Sequence, residues 1–231
     1  MVARVQDSPS NSQHEVYMKR DDIRLLKIFE IPLTYYEVTK ELIRKLELTG
    51  DVVFESRVSG NISADVVKEF IFGDRLIDDL VVIKENNTTR VITNKDFFRF
   101  PNNDWSNRWI FEKRHCKATS LDLSNFDTSN LTSLWGMFED CQATSINLES
   151  FDTSNVTSMV NVFHSCAVKS LDLSNFETSK VTSMSEMFRF CRNLDYLNLS
   201  SFDDSNVKDM DKMFADCKIA DKIRNNLNEG K

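Results

Sequence analysis

The sequence predicts an α/β fold: a right-handed solenoid with a parallel β-sheet on one face and short helices on the other. A small N-terminal α+β region and a C-terminal helix are expected to cap its two ends. Three observations lead there. Cys116, Cys141, Cys166, Cys191 and Cys217 follow one another at steps of 25, 25, 25 and 26 residues. Between them one segment is written four times. Within each copy the apolar spacing changes from the period of a strand to that of a helix.

Each copy opens with two apolar residues two apart, Leu121/Leu123, Ile146/Leu148, Leu171/Leu173 and Leu197/Leu199. This spacing puts both on one side of a short strand. A phenylalanine follows (Phe126, Phe151, Phe176, Phe202) and is expected to fill the corner where the chain leaves the strand. Then Leu131/Leu134/Phe138, Val156/Met159/Phe163, Val181/Met184/Phe188 and Val207/Met210/Phe214 take the spacing of one helix face. Ser129, Ser154, Ser179 and Ser205 are placed to cap those helices. Asp127, Asp152 and Asp203 suit Asx turns and a helix N-terminus, and Glu177 keeps the charge. One copy cannot bury its stripe alone. Stacked copies turn each position into a continuous column, each large side chain contributing ~1.5–3 kcal/mol on burial.

The Leu121-Asp122-Leu123-Ser124-Asn125-Phe126-Asp127-Thr128-Ser129-Asn130 run, the Met137-Phe138 pair and the closing cysteine resemble the BspA-like leucine-rich-repeat family. The resemblance covers Cys116 to Cys217 and implies a leucine-rich-repeat solenoid. It also implies a cell-surface adhesion or protein-interaction module. It leaves the compartment open and does not reach residues 1–88.

Residues 1–20 are polar, without period, and read as a disordered arm. Residues 21–94 read as a small α+β unit whose expected role is to cover the first repeat. Ile23–Leu33 is a strand or short helix. Thr34 looks like the N-cap of a helix carrying Val38, Leu42, Ile43 and Leu46, with Gly50 as its stop. Val52–Phe54 reads as a strand, Ser63–Phe70 as a second helix, and Leu80–Ile83 with Arg90–Thr93 as a hairpin. Residues 95–116, rich in aromatics, read as a degenerate repeat ahead of the four clear ones at 117–217. Residues 218–231 carry Ile219, Ile223 and Leu227 four apart, a capping helix.

No run of apolar residues is long enough to span a membrane, and the N-terminus has no apolar core of a signal peptide, so an intracellular location is expected. An odd set of cysteines, each closing a repeat, reads as a column of buried thiols. A disulfide between neighbours stays open on distance. No metal-ligand spacing, phosphate loop or nucleophile motif is found, and His14, His115 and His164 read as solvated. The sequence therefore predicts no catalytic residue, no cofactor and no metal.

Charge points to a partner. Cys116–Cys217 holds 7 Lys+Arg against 15 Asp+Glu, a net of −8. Nucleic acid is disfavoured and a basic protein surface is favoured. The residues expected to meet it are Asp122, Asn147, Glu149, Asp172, Tyr196 and Asn198 on or beside the sheet face, with Trp135 as an anchor on the helix side if exposed. The expected function is a non-enzymatic protein–protein interaction scaffold. The alternative is a structural component of a larger assembly, a virion or cell-surface lattice, and behind it an enzyme housed in the N-terminal region, for which no motif speaks.

Overall fold

The structure is a computed structural model, and it describes residues 35–46, 48–55, 80–93, 97–101 and 107–220. The expected arm 1–20, Ile23–Leu33, Thr34, the Ser63–Phe70 helix and the Ile223/Leu227 part of the C-terminal helix lie outside these residues.

The fold is α/β with parallel sheets and few helices. In chain order the described elements are β1 (Tyr35–Glu37), α1 (Lys40–Leu46), β2 (Thr49–Glu55), β3 (Leu80–Glu85) and β4 (Thr88–Thr93). Then follow β5 (Phe97–Arg99), β6 (Lys117–Asp122), β7 (Ser145–Asn147), β8 (Ser170–Asp172) and β9 (Tyr196–Asn198). The main sheet runs β3-β4-β2-β6-β7, parallel except for the β3/β4 hairpin. β8 and β9 pair parallel beyond it, and β1 pairs parallel with β5.

The α1 helix buries Leu42, Ile43 and Leu46, as their spacing requires. Its cap differs from expectation. Residues 35–37 are strand, and the Leu42 amide donates to Thr39 Oγ1 at 3.2 Å, so Thr39 caps the helix. Gly50 is not the helix stop either. It lies inside β2 at φ +68°, where the register against β6 shifts, and a Cβ there would strike the Asn87 carbonyl. Asn86 and Asn87, both at positive φ, turn the β3/β4 hairpin.

Like positions of successive repeats meet. Leu121 pairs with Ile146 and Leu171 with Leu197. Phe111, Phe138, Phe163, Phe188 and Phe214 form one column of near-parallel rings, neighbouring centroids 5.4–5.6 Å apart. Phe151 stacks on Phe176 at 6.3 Å. At the start, Phe126 is packed by Phe54, Phe98 and Phe100, at 5.1, 5.4 and 4.5 Å. The described residues of 35–101 thus extend the sheet past β6 with β2, β4 and β3, and bring aromatic rings to the same core. Leu194, inside the longer last step from Cys191 to Cys217, is buried, as are Ala118, Ala143 and Val168 just after the earlier closing cysteines.

The expected short helices are absent from the described part of 107–219, a correction to the sequence reading. Leu131–Cys141 and its equivalents form tight turns. Alternate amides there bond within the rung three residues back, as Met137 to Leu134 and Cys141 to Phe138, both 3.1 Å. The amides between them bond to the next rung, as Leu134 to Ser158 (3.0 Å) and Phe138 to Val162 (2.9 Å). The reason is width. Rungs here are about one strand spacing apart, ~4.8 Å, whereas an α-helix is ~10 Å across and cannot stack at that pitch. The turns are closed by two left-handed residues per rung, Gly136/Asp140, Asn161/Ser165, Glu186/Phe190 and Lys212/Asp216. The serines expected as helix caps instead receive Asx turns: Asp127, Asp152 and Asp203 accept from the amides of Ser129, Ser154 and Ser205 at 3.0, 3.0 and 2.9 Å.

Candidate functional site

On the outer face of the strands the pleat leaves every second residue in solvent while its neighbours enter the core. Register does the rest. Asp122 of β6 faces Asn147 of β7, and Asp172 of β8 faces Asn198 of β9. Asn147 Nδ2 donates to Asp122 Oδ1 at 3.1 Å, and Asn198 Nδ2 to Asp172 Oδ1 at 3.0 Å. Each side chain also holds the turn behind it. Asp122, Asn147, Asp172 and Asn198 accept from the amides of Ser124, Glu149, Ser174 and Ser200 at 3.0–3.1 Å. The Asp172 carboxyl is held below its usual range by the hydroxyl and amide of Ser174 and by Asn198, so it stays ionised.

Four of the seven expected residues therefore form one polar column, in two hydrogen-bonded pairs. Glu149, exposed, is tied to it through its amide. Tyr196 faces Ser170, two residues along β9, and is 52% exposed. Trp135 does not join them. It lies on the turn side, half-buried, with the Arg108 guanidinium stacked between it (4.2 Å) and Trp109 (4.0 Å). An anchor held this way is not free to insert into a partner.

The sequence reading missed the continuation of this face into the N-terminal region. Asp51 of β2 accepts from Thr119 Oγ1 and Ser120 Oγ, each at 2.8 Å, which holds its carboxyl below the ordinary range. Four residues further along β2, Glu55 Oε1 and Oε2 accept from Arg90 Nε and Nη2, at 2.6 and 2.7 Å. The signal was present in Asp51-Val52-Val53-Phe54-Glu55, whose apolar Val52 and Phe54 are buried while Asp51 is exposed.

The histidines near the repeat closures are packed, not solvated, another correction. His164 stands 3.5 Å from Glu186 and edge-on to Phe190, and His115 is 3.9 Å from Glu112. All five cysteines are free and buried. Burial pushes the Cys116 thiol up to about 12. A hydrogen bond with Cys217, together with burial, pushes Cys191 up as well. Thiolate chemistry is thereby suppressed along most of the column. Among the described residues no group of three or more His, Cys, Asp or Glu is placed to hold a metal, and no helix is long and apolar enough to cross a membrane.

The stacked segment defines a class. The chain belongs to the family described as Mycoplasma protein of unknown function, DUF285, whose model matches residues 106–227, just over half its length. No curated protein and no solved structure matches it.

Proposed function

We propose that this chain is a leucine-rich-repeat solenoid of the BspA-like kind, and that it works as a non-enzymatic scaffold for protein–protein interaction. Its docking face is the outer side of the sheet, and its partner presents a basic surface. The observation that carries this reading is the pre-set column Asp122, Asn147, Asp172 and Asn198. Hydrogen bonds fix its acceptors before any partner arrives, which lowers the ordering cost of binding. The surplus of 15 acidic over 7 basic residues from Cys116 to Cys217 supplies long-range attraction for a cationic partner. Tyr196, exposed beside the column, is the aromatic contact such interfaces favour.

Selection of a random peptide library on the immobilised full chain tests this. The expected binders are enriched in Lys and Arg. Their affinity should fall about 10- to 100-fold on combining Asp122→Lys, Glu149→Lys and Asp172→Lys. It should fall far less with Glu177→Lys and Asp195→Lys, which reduce the acidic surplus without altering the four column residues. Binders without basic enrichment, or equal loss in both variants, would contradict the assignment.

A further inference from the structure

The repeats keep what stacking needs, so side chains that break the pattern together at one place call for a second reason. Between residues 107 and 220 the chain has two tryptophans and one glycine, Trp109, Trp135 and Gly136, and all three meet around Arg108. The Arg108 guanidinium lies 4.0 Å from the Trp109 ring centroid and 4.2 Å from that of Trp135. Gly136, at φ +60°, makes the room. A Cβ there would stand 3.0 Å from Arg108 Cγ and 2.9 Å from Glu139 Oε2. Trp109, itself at φ +61°, stays 37% exposed. An exposed indole held this firmly is the kind of anchor that interfaces use.

Cations gather round it. Lys40 of α1 brings its Nζ to 5.6 Å from the same indole, and Arg44 follows one turn later on the same face of the helix. The Lys40 ammonium is held below its usual range, first by burial and then by Arg44; Glu112 opposes this and Arg108 adds to it. Among the described residues neither Lys40 nor Arg44 is in an ion pair. The nearby carboxylates are engaged: Glu41 with Lys45 at 2.9 Å, Asp140 with Lys113 at 3.7 Å, and Glu112 with Arg114 at 3.1 Å. Glu139 faces Arg108 at 3.9 Å, beyond a hydrogen bond. Setting aside the Lys45 and Lys113 pairs, Lys40, Arg44, Arg108 and Arg114 stand against Glu112 and Glu139. This surplus of cations lies on a chain whose net charge is −7.

Such a corner selects its occupant. A nucleic acid or an anionic membrane spreads its charge widely and would meet the acidic repeats as well. A basic segment is repelled. A short acidic segment needs only Lys40 and Arg44, and the exposed indole beside them takes an apolar neighbour. We infer that this corner binds an acidic stretch of a partner protein, with carboxylates on Lys40 and Arg44 and an adjacent aromatic or apolar side chain on Trp109. The surface is separate from the sheet face and does not depend on it.

Calorimetric titration of the full chain with the capped peptide Gly-Glu-Phe-Glu-Gly tests the inference. The peptide should bind, should change the tryptophan fluorescence, and should bind more weakly as salt is raised. Lys40→Gln with Arg44→Gln should weaken it about tenfold or more while the chain still unfolds cooperatively in urea. Trp109→Leu should weaken it severalfold, and Gln in place of both Glu in the peptide should abolish it. Asp122→Lys with Asp172→Lys, on the sheet face, should not weaken it. The inference falls if the parent does not bind the peptide, or if binding survives Lys40→Gln with Arg44→Gln. It also falls if inorganic phosphate displaces the peptide at equal concentration, which marks a bare anion site. Self-association of the parent that is lost in the same double variant would overturn it too, by making the acidic face of a second copy the occupant.

Discussion

Thr128, Thr153 and Thr178 are each 1% exposed, and each hydroxyl closes two bonds with the next rung. Thr153 Oγ1 donates to the Glu177 carbonyl at 2.9 Å and accepts from the Glu177 amide at 2.8 Å. Thr128 does the same with Asp152, and Thr178 with Asp203. A buried backbone pair left without partners costs ~1–3 kcal/mol, so Thr153→Val, which keeps the shape, should destabilise by about that much in urea unfolding. Thr153→Ser, which keeps the hydroxyl, should recover most of it; equal stability of the Val variant and the parent would refute the role. This column was not legible in the sequence. Thr-Ser-Asn after an acidic residue reads as a helix start, and only the neighbouring rung shows that the threonine faces inward. The Asx turns of Asp127, Asp152 and Asp203 were legible, because they depend on residues two apart in the same chain.

Among the repeat elements, the strands were expected and are present, whereas short helices were expected and tight turns take their place, for one reason. A period of two needs only the local pleat, whereas Leu131, Leu134 and Phe138 satisfy both a helix face and a chain of tight turns. The pitch of the stack decides between them, and the pitch lies outside any single repeat. The join between the N-terminal region and the repeats was equally hidden, since β2 meets β6 across more than sixty residues. Asp51 fastens that join through Thr119 and Ser120. Its carboxyl is depressed from the ordinary 3.8, chiefly by the Ser120 bond and then by Thr119. A depressed acid contributes stability that is present above its unfolded value and lost as pH falls through its folded value. The parent should therefore exceed Asp51→Asn in urea midpoint at neutral pH, and the gap should close as pH drops below about 3.8. A gap that stays constant down to pH 2 would show that the carboxylate's charge plays no part.

For the whole molecule, like residues of successive repeats meet, as the phenylalanine column shows, and the acidic face follows from the same register. The period of 25 to 26 residues made this much readable from the sequence alone. The partner of either surface was not readable, because a stack constrains shape and charge but not sequence on its exposed positions. Disulfide trapping checks the stacking most directly. Parallel neighbours sit ~4.8 Å apart at Cα, inside the ~4.4–6.8 Å range a disulfide spans, whereas positions two rungs apart lie beyond it. Cysteines placed in pairs at Asp122 with Asn147, and at Asp172 with Asn198, should cross-link intramolecularly within minutes of mild oxidation, seen as the loss of two hydrogens by mass. The pair Asp122 with Asp172 should not. Cross-linking of that distant pair as fast as the neighbours, or failure of both neighbouring pairs, would contradict the stacked arrangement.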